Sequence, residues 1–140
     1  MRGLETSEAT LTAVRTLAEA LNKTVIVSDD RPGFLVNRML IPFLVEAVFA
    51  LQDSTGSAED IDQGARLGLN HPLGPLELAD LIGLDTVLAI ARVLEHDFGD
   101  PKYRAPVLLK NLVAAGHLGR KTKRGFYAYD DQGKKLTARA

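Results

Sequence analysis

The segment 34-FLVNRMLIPFLVEAVFAL-51 is the longest apolar stretch of the chain, and only Asn37, Arg38, Pro42 and Glu46 interrupt it. Its length corresponds to about five helical turns. A helix that is apolar on nearly all sides is usually buried, because no side of it gains from contact with water. We therefore predict a helix that either occupies the centre of the domain or faces another subunit.

The sequence on both sides of this segment is dominated by further helix patterns. Thr6 or Ser7 can cap a helix whose apolar residues recur at spacings of three and four, so that one face is meant to be buried. Downstream, a capping box begins at Ser57, and a helix with Pro75 at its first position ends at Gly83. Two more helices are predicted, one from Asp85 to before residue 99 and one over residues 106–115. The fold class is therefore mainly α.

Three segments depart from the helical pattern. Residues 23–28, KTVIVS, form a short β-branched run that predicts a fully buried strand. Residues 125–129, GFYAY, are predicted to be either a short strand or aromatic side chains that pack the tail onto the helices. Residues 130–140 are polar and predict a frayed terminus.

Composition restricts the class of protein. The chain has 140 residues, a formal net charge of -1 and no cysteine, which excludes a disulfide scaffold and thiolate chemistry. It has no apolar run of membrane-spanning length and no basic-then-apolar leader, so neither membrane insertion nor secretion is expected. We expect a cytoplasmic protein.

Charge is distributed unevenly along the chain. Residues 1–100 carry 7 Lys or Arg against 16 Asp or Glu, whereas residues 101–140 carry 10 against 2. One interpretation is that the basic tail folds back on the acidic body. The other is that Arg120, Lys121, Lys123 and Arg124 hold a phosphate-bearing ligand. A nucleic-acid partner is not expected, since no binding motif surrounds these residues.

The sequence contains no recognisable catalytic motif. His71, His96 and His117 lie far apart and lack metal-ligand spacing, so no metal site is predicted. The chain also lacks the nucleophile elbow of hydrolases and the glycine-rich loops that cradle nucleotide phosphates.

Asn37 is a polar residue near the start of the longest apolar segment of the chain. On a helix it shares one face with Ile41, Leu44 and Val48, whereas Glu46 lies on roughly the opposite side. Its amide either serves the unpaired donors of the first helical turn or donates to an oxygen of a ligand at the helix end. The residues alone leave both alternatives open.

Four ordered blocks of sequence carry a family resemblance. They are DRPGFLVNR at 30–38, HPLGPLELAD at 71–80, GLDT at 83–86, and GRKT at 119–122 followed by GFY at 125–127. Together they resemble the C-terminal half of the 3-hydroxyacyl-CoA dehydrogenases, with the bacterial 3-hydroxybutyryl-CoA dehydrogenases as the nearest group. The resemblance covers essentially residues 1–129.

The resemblance implies a domain organisation. Residues 1–30 are expected to be the last helix and last strand of a Rossmann domain that these 140 residues otherwise lack. Residues 31–129 are expected to form an all-helical bundle like the C-terminal domain of 6-phosphogluconate dehydrogenase, and residues 130–140 a flexible tail. In the family the helical domain completes the active site and makes most of the dimer contact.

The resemblance also implies an activity in fatty acid metabolism. The family transfers a hydride between C3 of a 3-hydroxyacyl-CoA and NAD, with a histidine as the general base and a glutamate that orients it. This chain contains neither that pair nor the glycine-rich loop, so the isolated chain is expected to be inactive and to work with a Rossmann-domain sequence. A separate Rossmann-domain chain is one partner that would supply it. An acyl-CoA substrate and a homodimer are implied as partners.

Two residues match functional positions of the family. Asn37 matches the asparagine whose amide bonds the reacting 3-oxygen, and Lys121 matches a lysine near the nicotinamide half of NAD. Relatives usually have glycine where Lys123 stands, so the backbone of that turn is expected to change. Two alternatives remain: a non-enzymatic helical oligomerisation module, and a dehydrogenase of the same architecture that acts on sugar acids.

Overall fold

The computed structural model describes residues 1–136, and its regular structure is helical. Its α-helices are α1 (Glu8–Ala20), α2 (Val36–Gln52), α3 (Ala58–Gly68), α4 (Pro75–Ile82), α5 (Leu84–Phe98) and α6 (Val107–Ala114). Single 3-10 turns lie at Pro101–Tyr103 and Arg120–Thr122. The predicted mainly α fold is confirmed. Within the described residues, no helix is both long enough and apolar enough to span a bilayer.

Helix α2 lies at the centre of the bundle and contacts α3, α4, α5 and α6. Ile41, Leu44, Val45 and Val48 are each at most 1% exposed. Fully burying an aliphatic side chain of this kind stabilises the folded state by about 1.5–3 kcal/mol. The apolar segment that dominates the sequence is therefore the core of the domain, as predicted.

Local capping signals locate the helix starts correctly. The side chain of Ser7 accepts a hydrogen bond from the backbone N–H of Thr10 at 3.1 Å, and Ser57 does the same for Asp60 at 3.1 Å. Pro75 is the first residue of α4. An N–H at this position has no partner within the helix, so proline costs no hydrogen bond there. These caps depend on neighbouring residues only, which is why the sequence reveals them.

The first thirty residues differ from the prediction. Helix α1 has no buried residue and contacts no other helix among residues 1–136, and Leu17 is 62% exposed. The fully buried strand predicted at residues 23–28 is wrong for the described chain: no strand forms there, and Ile26 is 64% exposed. A single parallel bridge joins Arg2 to Asp29. A strand needs a neighbouring strand to satisfy its N–H and C=O groups, and within the described chain this bridge is the only one that involves residues 1–30.

The C-terminal segment folds back over the helices. Antiparallel bridges join Gly119 to Arg124, Arg124 to Ala128, and Tyr129 to Lys135. Leu136 donates its N–H to the carbonyl of Ala128 at 2.9 Å. Residues 130–136 therefore make backbone hydrogen bonds, which differs from the frayed terminus that composition predicts. Residues 137–140 of that predicted tail lie outside the described residues.

Candidate active site

Asn37 lies in the first turn of α2, where the polar head of the helix meets its buried face. It is half-buried, and the three residues below it on the same face, Ile41, Leu44 and Val48, are at most 1% exposed. Glu46 is exposed on the other side of the helix. The predicted stripe with Asn37 at its top is therefore present.

The start of α2 has an unusual backbone. Gly33 has φ +73° and Phe34 has φ +49°, so two successive residues adopt the left-handed conformation. The N-cap residue Leu35 is itself helical and makes no side-chain cap hydrogen bond. A side-chain cap of the usual kind is thus not formed at this helix start.

An open cavity of about 280 Å³ lies beside Asn37. Its wall is formed by residues 33–37 together with Met1, Ile26 and Ser28. The cavity therefore lies where the first thirty residues meet the helical bundle. Apolar side chains make up most of its wall. An amide N–H stabilises developing negative charge on an oxygen best where water is excluded.

Lys121 lies in a different environment from Asn37. Its Nζ atom is 2.6 Å from both carboxylate oxygens of Asp85, in the first turn of α5. The hydrogen bond from Lys121 is the main cause that lowers the pKa of Asp85 below its ordinary value. Lys121 is not part of the wall of the cavity beside Asn37. The two predicted site residues are therefore not brought into one pocket by the residues described.

The basic tail pairs with the acidic body of the protein. Arg120 donates to Glu77 at 3.1 Å, and Lys121 pairs with Asp85. Lys123 forms an ion pair with Asp131 within the tail itself. These pairs correspond to the first interpretation of the charge asymmetry, in which the tail folds back on the body. They do not form a cluster directed at one phosphate group.

Lys123 has a left-handed backbone conformation, which glycine adopts at no steric cost. Its φ is +59° and its ψ is 9°, and it ends the 3-10 turn Arg120–Thr122. For a residue with a Cβ atom, this region costs about 1–2 kcal/mol. The turn therefore places a lysine in a left-handed conformation that is more favourable for glycine.

Two buried aspartates, which the sequence did not single out, hold the C-terminal segment in place. Asp62 and Asp80 are each 1% exposed. The carboxylate of Asp80 accepts the N–H groups of Phe126 and Tyr127 at 3.0 Å each and the hydroxyl of Tyr129 at 2.9 Å. The hydroxyl of Tyr127 likewise donates to the carboxylate of Asp62 at 2.8 Å. We call these hydrogen bonds to Asp62 and Asp80 together the carboxylate clasp.

Burial dominates the electrostatics of the carboxylate clasp. It raises the pKa of Asp80, although the backbone donors of Tyr127 and Phe126 act in the opposite direction. Burial is also the largest cause of the raised pKa values of Tyr127 and Tyr129, so both hydroxyls stay protonated donors. The predicted packing role of these aromatic residues is confirmed, and their hydroxyls add a polar attachment.

The described residues contain no group of three or more potential metal ligands among His, Asp, Glu and Cys side chains. His71 lies against the ring of Phe43, at 5.2 Å between ring centroids, and its Nδ1 is 2.5 Å from the carbonyl oxygen of Leu73. This histidine therefore has local protein partners.

The family model of the 3-hydroxyacyl-CoA dehydrogenase C-terminal domain matches residues 33–129. The chain is 50% identical over 129 residues to 3-hydroxybutyryl-CoA dehydrogenase from Bradyrhizobium diazoefficiens, covering 92% of this chain and 44% of that protein. It is 52% identical over 128 residues to 3-hydroxybutyryl-CoA dehydrogenase from Clostridioides difficile, covering 91% of this chain and 46% of that protein.

A solved structure agrees with this match. The crystal structure of (S)-3-hydroxybutyryl-CoA dehydrogenase from Ralstonia eutropha is similar with a TM-score of 0.90 at 52% identity, covering 93% of this chain and 46% of that chain. The chain thus spans about half the length of the relatives it matches. The chain belongs to the 3-hydroxyacyl-CoA dehydrogenase family, and residues 33–129 match the C-terminal domain of that family.

Proposed function

We propose that these residues complete the substrate site of an NAD-dependent 3-hydroxyacyl-CoA dehydrogenase that acts on 3-hydroxybutyryl-CoA. The relatives at about 50% identity are named 3-hydroxybutyryl-CoA dehydrogenases, which supports this substrate. The observation that carries the proposal is the position of Asn37, half-buried beside an apolar cavity where residues 1–30 meet the helical bundle.

In this proposal Asn37 acts on the oxygen attached to C3 of the substrate. Oxidation of the 3-hydroxyl would transfer its proton to a base and the hydride of C3 to an acceptor, which a bound nicotinamide would supply. In the reverse direction, negative charge develops on the same oxygen as the hydride arrives. The Asn37 amide N–H donates to this oxygen and lowers the barrier in both directions, because a prearranged donor needs no solvent reorganisation. In this proposal the apolar residues around the cavity pack against the acyl chain.

NAD supplies the hydride acceptor when it is bound, and most of its contacts come from sequence that these 140 residues do not contain. Lys121 is the residue that we place near the nicotinamide half. Its side chain is 47% exposed, so the ammonium group is accessible to a ligand while Asp85 holds it in position. No phosphate-cradling glycine loop is present in the sequence.

The open surface of the first thirty residues supports the proposed domain organisation. The apolar side chains of α1 and of residues 23–28 are exposed, with Val14 at 60% and Ile26 at 64%. An apolar helix face and a β-branched segment with one bridge both gain stability when a sheet covers them. We propose that residues 1–30 complete a Rossmann domain, residues 31–129 form the helical domain, and residues 130–140 form its tail.

A reconstitution assay tests the proposal. The chain is mixed with a Rossmann domain from a 3-hydroxybutyryl-CoA dehydrogenase, and acetoacetyl-CoA-dependent NADH oxidation is followed. We expect no turnover from either component alone and measurable turnover from the mixture. Turnover by the isolated 140 residues would contradict the proposal that they lack the hydride-transfer machinery. No recovery in the mixture, with both components folded, would contradict a split enzyme.

A second candidate is a helical oligomerisation module without catalysis. It is favoured by apolar side chains left exposed on the bundle, such as Met39 at 64%, Leu67 at 76% and Leu69 at 66%. Both candidate functions predict a homodimer, and sedimentation measures the oligomeric state directly. A dimer whose Rossmann mixture gives no activity supports the second candidate, whereas activity in the mixture supports the first.

A further inference from the structure

The first turn of α2 carries Asn37 and has no side-chain cap, so its contacts with α5 contribute to its orientation. The backbone leading into the helix adopts two left-handed conformations, at Gly33 and Phe34. A Cβ atom at Gly33 would lie 2.8 Å from Cδ2 of Leu94, so the entrance of α2 lies directly on α5. The contact of Gly33 with Leu94 alone would still permit the first turn of α2 to rotate about it.

Arg38 supplies a second contact between α2 and α5. Its guanidinium carbon lies 4.2 Å from the ring centroid of Phe98, the last residue of α5. The Phe98 ring stacks on Tyr103 with 5.4 Å between centroids and 27° between planes. Because Tyr103 is 2% exposed, the stack that receives Arg38 is anchored in the core.

Successive helical residues point about 100° apart, so Arg38 and Asn37 leave the same turn in different directions. Arg38 rests on α5, and Asn37 borders the cavity. The backbone N–H of Arg38 also donates to the carbonyl of Gly33 at 3.2 Å. The contact of Arg38 with α5 therefore restrains the rotation of the first turn, which carries the Asn37 side chain.

We propose that Arg38 and Phe98 are positioning residues that hold the Asn37 amide in its productive orientation. This inference rests on the proposed function, because it assigns the two residues a role through Asn37. A misplacement of about 1 Å at a reacting group lowers a rate by up to about 100-fold, so a small rotation of this turn is sufficient.

The test uses the complete enzyme, in which these residues are joined to a Rossmann domain, with acetoacetyl-CoA and NADH as substrates. Phe98→Leu removes the ring under Arg38 and keeps an apolar side chain, whereas Phe98→Tyr keeps the ring. We expect Phe98→Leu to lower kcat about tenfold with KM changed less than about twofold, and Phe98→Tyr to restore kcat. Arg38→Met, at an exposed position, provides a second variant should Phe98→Leu fail to fold.

Double variants separate positioning from a purely structural role. If Arg38 and Phe98 act through Asn37, adding Phe98→Leu or Arg38→Met to Asn37→Ala changes kcat less than about twofold. If the losses of kcat measured in the single variants multiply in the double variants, the inference is overturned. Full kcat in both Phe98→Leu and Arg38→Met would also overturn it. A raised KM with unchanged kcat in Arg38→Met would overturn it as well, because that result indicates direct contact of Arg38 with the substrate.

The failure of the inference is distinguishable from the failure of the proposed function. If Asn37→Ala lowers kcat but Phe98→Leu and Arg38→Met do not, only the positioning role is overturned. If Asn37→Ala leaves kcat unchanged, Asn37 has no catalytic role, and the proposed function loses the observation that carries it together with this inference.

Discussion

Tyr129 donates its hydroxyl to the buried carboxylate of Asp80 across 2.9 Å, joining the C-terminal segment to helix α4. Two backbone N–H groups complete the set of donors to this carboxylate. A carboxylate that is 1% exposed depends on such donors, because an ionised group without partners is costly to bury. The tail that carries Lys121 is therefore attached to the bundle by the carboxylate clasp.

Tyr129→Phe removes one donor of the clasp and preserves the ring. We expect the free energy of unfolding to fall by about 2 kcal/mol, since hydrogen bonds to charged groups contribute about 1.5–3 kcal/mol. Urea unfolding followed by circular dichroism measures the change. Tyr127→Phe is the matched variant at Asp62, and unchanged stability in both variants would contradict the structural role of the clasp.

The effect of Tyr129→Phe is expected to depend on pH. Burial raises the pKa of Asp80 in the folded protein, so this group contributes most below its ordinary value of 3.8, and that stabilisation is lost as pH rises through the folded value. The Tyr129 hydroxyl opposes burial by favouring the ionised form. The destabilisation by Tyr129→Phe is therefore larger above the folded pKa than below it, and a difference independent of pH would contradict this origin.

Gly125→Ala is expected to destabilise the protein because a Cβ atom at this position would overlap the carboxylate of Asp80. Overpacking of this kind costs about 1–3 kcal/mol or more. Gly64→Ala is the matched control: it lies within α3 with no atom near the added methyl group, and a gain of up to about 1 kcal/mol is expected. Equal effects of the two substitutions on urea unfolding would contradict the tight fit at Gly125.

Lys121→Met is expected to raise the pKa of Asp85 toward its ordinary value, because the hydrogen bond from Lys121 is the main cause that lowers it. A lowered folded pKa stabilises the protein above the ordinary value of 3.8, and this stabilisation is lost as pH falls through the folded pKa. Since both side chains are more than a third exposed, the change in stability stays below about 1 kcal/mol. Carboxyl carbon NMR titration measures the pKa, and Lys123→Met serves as the control because Lys123 pairs with Asp131 instead.

Features that depend on neighbouring residues could be predicted from the sequence. The cap at Ser57, the proline start of α4 and the apolar run of α2 are each read from residues that are consecutive or close in the sequence. The same holds for the stripe that places Asn37 above Ile41, which follows from helical geometry alone.

Features that join distant parts of the chain could not be predicted in this way. Asp62 and Tyr127 are 65 residues apart in sequence, and Asp80 and Tyr129 are 49 apart, so no local spacing relates them. The strand expected at residues 23–28 failed for a related reason. Its β-branched composition is local, but a strand also needs partner strands, and the only bridge in the described chain that involves residues 1–30 joins Arg2 to Asp29.

The pre-steady-state rate of NADH oxidation by acetoacetyl-CoA, compared between the complete enzyme and its Asn37→Ala variant, tests the central claim most directly. Removing one donor to a developing oxyanion lowers a rate by about 100- to 1,000-fold, and we expect a loss of this size with an unchanged circular dichroism spectrum. Glu46→Ala, on the exposed side of the same helix, controls for general effects on α2. An Asn37→Ala variant that reacts as fast as the unsubstituted enzyme would contradict the claim that this amide stabilises the reacting oxygen.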